Sequence, residues 1–222
     1  MSRRTMMGGL VAGAASASMA ASAEGAASPA ASLKKNSNAD FYKSDGTFDV
    51  DTAKQAYYDM FAYYGYPIPP RLRGEDFWAV DFGLGIFTEV GMAGIFWVNR
   101  KEDNYFGHDI YLLPGQMIPE HKHVKTPDAG PKMEGWHVRH GSVHIYGEGT
   151  ATPGVDERIP ESHRKLAHAR SEQQLMPGEV GCLAGAEQWH WMRSGAEGAI
   201  VTEYATYHDG NALRFSHPDI KF

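Results

Sequence analysis

The stretch Gly115-Gln116-Met117-Ile118-Pro119-Glu120-His121-Lys122-His123, together with Glu134 and Gly141 beyond it, decides the fold of this 222-residue chain. It reads G-x5-H-x-H, a loop, then E-x6-G. A third run, Leu183-Ala184-Gly185-Ala186-Glu187-Gln188-Trp189-His190, adds one more histidine farther along. Histidines two apart on a strand point to the same side, because side chains alternate faces. A carboxylate and a third imidazole from neighbouring strands then close a three-His, one-Glu site around a divalent transition metal. On this reading Gly115 and Gly141 are turn glycines bracketing a hairpin that presents His121, His123 and Glu134. His190, after an apolar strand and a turn at Gly185, falls where a fourth ligand belongs. Strand parity puts Trp136 and Val138 on the side of Glu134, sends His137 and Arg139 away, and gives Glu120 the wrong parity for the interior. A single histidine among the eleven of this chain is ordinarily structural or on the surface, so the joint spacing carries the reading. His137, His140, His144, His163, His168 and His217 are accordingly left outside the site.

The pattern around this stretch is β. Ala93–Val98, Asp109–Leu113, Gly135–His140, Ser142–Tyr146, Glu179–Leu183 and Ala199–Thr206 are short and rich in aromatic and β-branched residues. Pro114-Gly115, Pro177-Gly178 and lone glycines separate them, as in antiparallel sandwiches and barrels. One helix precedes them, with Asp51 as its N-cap. Ala53, Ala56, Tyr57, Met60, Phe61 and Tyr64 form its apolar stripe, and Gly65 and Pro67 stop it. Residues 159–170 read as a short helix or a loop. The expected architecture is an all-β small barrel with the N-terminal helix packed outside.

Composition fits one domain with a substantial core, at 42% hydrophobic and 22% charged residues. A net charge of −6 argues against a nucleic-acid partner, which calls for concentrated Lys and Arg. The single cysteine, Cys182, excludes an intramolecular disulfide and reads as a small buried hydrophobe. Before the fold, Arg3 and Arg4 precede a Gly/Ala-rich stretch that ends in the small-x-small site Ala21-Ser22-Ala23. Residues 1–23 therefore read as a twin-arginine-type signal peptide, residues 24–46 as a flexible tether and residues 47–222 as the folded domain. The rival is an Ala-rich disordered tail. The stretch is too weakly apolar for a transmembrane anchor. Cleavage would remove two arginines and no acid, taking the charge from −6 to −8, and the location it implies is periplasmic or exported.

These residues resemble the cupin superfamily, whose first motif is G-x5-H-x-H-x(3,4)-E-x6-G and whose second ends in a histidine. Two departures are visible: ten residues lie between His123 and Glu134, and Ala184 stands where proline is usual, with one extra residue before His190. The long spacing narrows the likeness. Gln116–His123, Lys132-Met133-Glu134, Val138–Tyr146 and Glu203–Asp209 look like the D-lyxose isomerase family of cupins, and Arg214-Phe215 resembles its C-terminal segment. The resemblance implies a jelly-roll barrel and metal ligands at His121, His123, Glu134 and His190. It further implies a catalytic glutamate at Glu203 and substrate contacts at Lys132, His108 and Asp209. His108 stands where some relatives carry a lysine.

The implied reaction is aldose–ketose isomerisation of a pentose or hexose such as D-lyxose (to D-xylulose) or D-mannose, through an enediolate. The implied cofactor is one divalent transition metal, Mn2+ first, with Fe2+, Zn2+, Co2+ or Ni2+ as alternatives. The partner is a small-molecule sugar, with no nucleic acid and no membrane anchor after cleavage, and a homodimer is compatible with this reading. Glu203 lies on a β stretch behind the apolar run Ala199-Ile200-Val201 and is not needed as a ligand, which suits a proton shuttle. Lys132 reads either as a partner for the sugar alkoxide or as a solvated loop lysine. The rivals are an iron-dependent cupin dioxygenase, which uses the same donor set, and an exported sugar- or metal-binding cupin without turnover. Replacing Arg3 and Arg4 by lysine is expected to strand an uncleaved precursor inside the cell; processing and export like the wild type would contradict the twin-arginine reading.

Overall fold

The computed structural model describes residues 33–222. The expected signal peptide and the first part of the tether (24–32) lie outside them. The rest of the expected tether is docked rather than free. A 3-10 turn at Asn38–Phe41 follows Ser37, whose N–H donates to Asp40 at 2.8 Å. Asn38 donates to Gly85 O at 2.7 Å, and Phe41 is fully buried. The folded unit therefore begins earlier than residue 47.

Helix α1 spans Val50–Tyr64. Its N-cap is Asp49 rather than Asp51: the Asp49 carboxylate accepts from Thr52 N, an orphan N–H of the first turn. Gly65 closes it in the left-handed region at φ 61°, as a glycine C-cap should. Ala53, Ala56, Tyr57, Met60 and Phe61 form the buried stripe. They pack on Phe77, just before the first strand, and on Ala93, Ile95, Tyr111 and Ile200, which face outward from the sheet. Each large side chain so buried contributes roughly 1.5–3 kcal/mol. Gln116 ties the helix to the barrel: its Oε1 accepts from Tyr57 OH at 2.7 Å and Leu113 N at 2.8 Å, and its Nε2 donates to Phe87 O.

Nine strands follow among the described residues: β1 (Trp78–Val80), β2 (Met92–Arg100), β3 (Tyr105–Leu112), β4 (Met117–His123), β5 (Glu134–Gly147), β6 (Ser171–Leu175), β7 (Val180–Cys182), β8 (His190–Ala205) and β9 (Leu213–Phe215). Two one-turn helices precede β6: α2 (Val155–Arg158), just before the ambiguous region 159–170, and α3 (Glu161–Arg164), within it. The strands are antiparallel in the order β1-β2-β3-β8-β4-β9, with β5 pairing β6, β7 and β8. Strand parity sorts the core. On β2 and β3, Met92, Ile110 and Leu112 point into the barrel, while Ala93, Ile95 and Tyr111 meet the helix. The all-β barrel with an outer helix is what the sequence reading expects. No helix among the described residues is long and apolar enough to cross a membrane.

Strands β5 and β8 are the spine. They pair from Glu134↔Ala205 to Gly147↔His190. On its other edge β8 pairs first β4, at His190–Arg193, and then β3, at Ala199–Ala205. Laid straight, the 13 steps from Glu134 to Gly147 would cover roughly 43 Å. Yet Glu134 Oε2 lies 3.4 Å from His190 Nε2, at the opposite end of the ribbon. The ribbon therefore curls back on itself. Its register shifts between Val138 and His140 and again between Gly141 and Val143, as bulges do where a strand bends.

Gly141 is thus not a hairpin turn but the bend of a continuous strand, and the two segments expected on either side of it merge into β5. Its φ is +70°, and a Cβ there would fall 2.0 Å from Gly198 O. Gly198, at φ +77°, would meet Leu112 O at 2.7 Å. Gly115, in contrast, does occupy a turn, closed by Gln116 N on Leu113 O. Gly141→Ala is expected to lower stability by about 2–4 kcal/mol, combining a strained positive φ with a backbone clash. Gly130→Ala, where a Cβ meets nothing within 4 Å, is the control and should change little. Urea melts of both compare them; equal stability would contradict the role given to the bend.

Candidate metal centre

His121 and His123 leave β4 on one side, and His121 pairs directly with His190 on β8 and with Phe215 on β9. The register between β4 and β8 shifts after Ile118, at Pro119, which has no N–H to give a ladder. Pro119 O is used instead to accept from His121 Nδ1 at 2.9 Å. Gln188 O does the same for His190 Nδ1, also at 2.9 Å. In both rings the carbonyl two residues earlier fixes the tautomer, leaving the Nε2 lone pair for a cation. Glu134 opens β5 with Trp136 and Val138 on its own buried side and Arg139 exposed, as its parity requires.

Donor atoms of His121, His123, Glu134 and His190 all lie within 4.8 Å of one another. Glu134 Oε1 stands 2.7 Å from His123 Nε2 and 3.1 Å from Lys132 Nζ without hydrogen-bond geometry to either, and His190 Nε2 is buried with no hydrogen-bond partner. Leaving such groups unpaired costs about 1–3 kcal/mol each. A cation among them removes that cost, and three imidazoles with one carboxylate suit a first-row divalent metal. The residues present therefore fit the group.

The charges agree. Burial, and then the neighbouring His190 and His123, hold His121 well below the ordinary histidine range, so it is neutral. Burial would raise Glu134, but Lys132, His123 and His190 outweigh it and keep the carboxyl ionised. Burial also works against the Lys132 ammonium, which Glu134 and Glu203 hold protonated. Two buried carboxylates face one ammonium, an excess of negative charge that suits a cation and that, against the effect of burial, also raises His190 through Glu134.

Lys132 is buried, not a solvated loop residue. It bonds Glu203 directly, lies 3.1 Å from Glu134 and sits over the Phe106 ring. Glu203, on β8, is cross-strand to His108 on β3 and to Trp136 on β5. Its second oxygen lies 3.3 Å from His108 Nδ1. Burial pushes Glu203 up, but Lys132 overrides it and holds the carboxyl below the usual range. His108 stacks on Trp78, and only a glycine at 94 makes room for it, since a Cβ there would fall 2.3 Å from His108 Nε2. One cavity is lined by His108, His121, His123, Lys132, Glu134, His190 and Glu203, with an aromatic wall of Trp78, Phe96, Phe106 and Phe215.

Two readings, Asp209 and Cys182, are corrected, and two, Glu120 and His163, hold with burial added. Asp209 does not join the cavity; its carboxylate accepts from Asn211 N and Thr126 Oγ1, capping the short turn Gly210–Ala212. Glu120 does face away from the four donors but is completely buried, accepting from His168 N at 2.7 Å and Ala169 N at 2.6 Å. Cys182 is exposed, because Gly181 is the inward residue of β7. His163, left among outlying histidines, is buried against His217, away from the four donors. Besides the apolar and aromatic lining, one histidine of the cavity escaped the sequence reading. His208 lines the site from the loop after β8, where strand parity no longer says which way a side chain points.

No family model matches the chain. Among curated proteins, it is 33% identical over 147 residues to the D-lyxose/D-mannose isomerase of Thermosediminibacter oceani, covering 66% of this chain and 80% of that one. It is also 33% identical over 141 residues to the D-lyxose ketol-isomerase of a Thermofilum species, covering 64% and 77%. The chain belongs to the D-lyxose ketol-isomerase family. Among solved structures, L-ribose isomerase of Cellulomonas parahominis with L-ribose superposes at a TM-score of 0.61, with 14% identity over 77% of this chain and 92% of that one. That likeness supports the barrel fold. For a member of this family, the expected outcome of His121→Ala or His190→Ala is loss of most bound metal by elemental analysis. His163→Ala should keep its metal. Full retention in both of the first two would contradict the four-donor site.

Proposed function

We propose that this protein is a metal-dependent aldose–ketose isomerase acting on a pentose or hexose such as D-lyxose or D-mannose. The observation that carries the reading is a buried carboxylate, Glu203, held ionised beside the four-donor cluster and outside it. Family membership supports the same reaction class, since two relatives carry those names. A divalent cation held by His121, His123, Glu134 and His190, manganese by preference, would supply Lewis-acid stabilisation of negative charge developing on the sugar oxygens.

The chain's own groups do the rest. Isomerisation moves one proton from C2 to C1 and one from the C2 hydroxyl to the C1 oxygen. Glu203 takes the carbon-bound proton and returns it to the neighbouring carbon, so the carboxylate is regenerated at the end. His108, at its second oxygen, fixes the plane of that carboxylate. Lys132 keeps it ionised and places positive charge where the sugar oxygens become negative. The aromatic wall keeps water from the reacting carbons. Export to the periplasm, as read from residues 1–23, remains part of the proposal and is tested separately.

Glu203→Gln preserves size and most hydrogen bonding but cannot accept a proton. Metal content should survive while turnover falls by roughly 10²–10⁴-fold, the range for loss of a general base. Hydrogen exchange from deuterated water into the C2 position of the sugar should vanish with it. Glu134→Gln should lose metal and activity together. An active Glu203→Gln would move the base elsewhere, and a metal-loaded wild type inactive on a panel of aldoses and ketoses would overturn the isomerase reading.

A further inference from the structure

His208 has no part in the arrangement described so far. It lines the cavity from the loop after β8, and one side chain holds its main chain from both sides. Asn99 Oδ1 accepts from His208 N–H at 3.1 Å, and Asn99 Nδ2 donates to His208 O at 2.9 Å. The ring lies on Phe106 with centroids 5.3 Å apart and planes 24° from parallel, and it also touches Phe96. On its other side the His123 ring stands 5.6 Å away, steeply inclined.

The Nδ1 of His208 is buried and has no hydrogen-bond partner. If the ring served packing alone, phenylalanine would fill the same aromatic slot without an unpaired nitrogen. Such a nitrogen costs about 1–3 kcal/mol when left unmet in the folded protein. His190 Nε2 is in the same state, buried without a hydrogen-bond partner, and it belongs to the four-donor cluster. A side chain fixed by its backbone and by stacking, with a polar atom left over, is preorganised for a ligand rather than for the fold.

We propose that His208 is a substrate-binding residue, its ring hydrogen-bonding a hydroxyl of the bound sugar next to the reacting C1–C2 pair. The inference rests on the isomerase reading and deepens it. The substrate it fits is a polyhydroxylated chain with a hydroxyl adjacent to the reacting carbons.

The test compares wild type, His208→Phe and His208→Gln, each loaded with Mn2+. Metal content is measured first, then KM and kcat for D-lyxose, then the calorimetric affinity for xylitol, a five-carbon polyol that cannot be isomerised. In His208→Phe the metal content and melting temperature should match or exceed those of wild type. KM and the xylitol Kd should each rise about tenfold, the effect of losing one hydrogen bond in a closed site. His208→Gln keeps a donor and an acceptor and should recover part of the affinity. Unchanged KM and Kd in His208→Phe, with turnover intact, would overturn this inference and leave the isomerase reading standing. Loss of metal in both variants would also overturn it, by assigning the residue to the metal centre. A wild type that neither binds xylitol nor turns over D-lyxose or D-mannose would remove the isomerase reading and this inference with it.

Discussion

The rest of the structure depends on the curl of the β5–β8 ribbon. The carboxylate donor stands at the start of β5 and one imidazole donor at the start of β8, and antiparallel pairing puts those two points at opposite ends of the ribbon. Only a ribbon bent through most of a circle brings them into one site. The bend is made where Gly141 and Gly198 cross with no space for a side chain between them. The other two donors come from β4, which meets β8 at His190 and so joins the same point from the free edge. Barrel closure and site assembly are therefore one event, and the hydrophobic interior stabilises both.

Electrostatics then shape what the assembled site can do. A buried cluster of carboxylates and imidazoles is costly in an apolar barrel unless the charges are balanced. Lys132 balances part of it, bridging the carboxylate inside the cluster and the one outside. That shared ammonium keeps Glu203 ionised without making it a ligand. The division gives two carboxylates in one cavity different work, one to hold a cation and one to carry a proton.

Much of this was legible in the sequence because it follows from the two-residue period of strands. His121 with His123, Glu134 with Trp136 and Val138, and the inward run ending at Glu203 all obey it. The helix was legible from its apolar stripe, although its cap lies two residues earlier, since Asp49 and Asp51 are equally good N-cap residues and only the entry of the chain selects between them. What was not legible depends on long-range geometry. Gly141 reads as a turn because glycine marks turns and bends alike. Asp209 and His208 are neighbours on a loop, where no period assigns direction, and one caps a turn while the other enters the cavity. Glu120 faces away from the donors as its parity says, but parity cannot show that residues 168 and 169 cover it. Cys182 and Val180 look like core residues by type, yet on β7 the inward position belongs to Gly181. The docked segment before Asp49 escaped for a similar reason, since a run of small and polar residues hides the single buried anchor, Phe41.

The central claim is that the curled ribbon brings one cation site into being from His121, His123, Glu134 and His190. Crystals grown with Mn2+ and measured on either side of the manganese absorption edge test it most directly. The account requires one strong anomalous peak inside the barrel, within bonding distance of three imidazole nitrogens and the Glu134 carboxylate, with Glu203 outside the coordination shell. A peak elsewhere on the protein, or one ligated by Glu203 in place of Glu134, would contradict it.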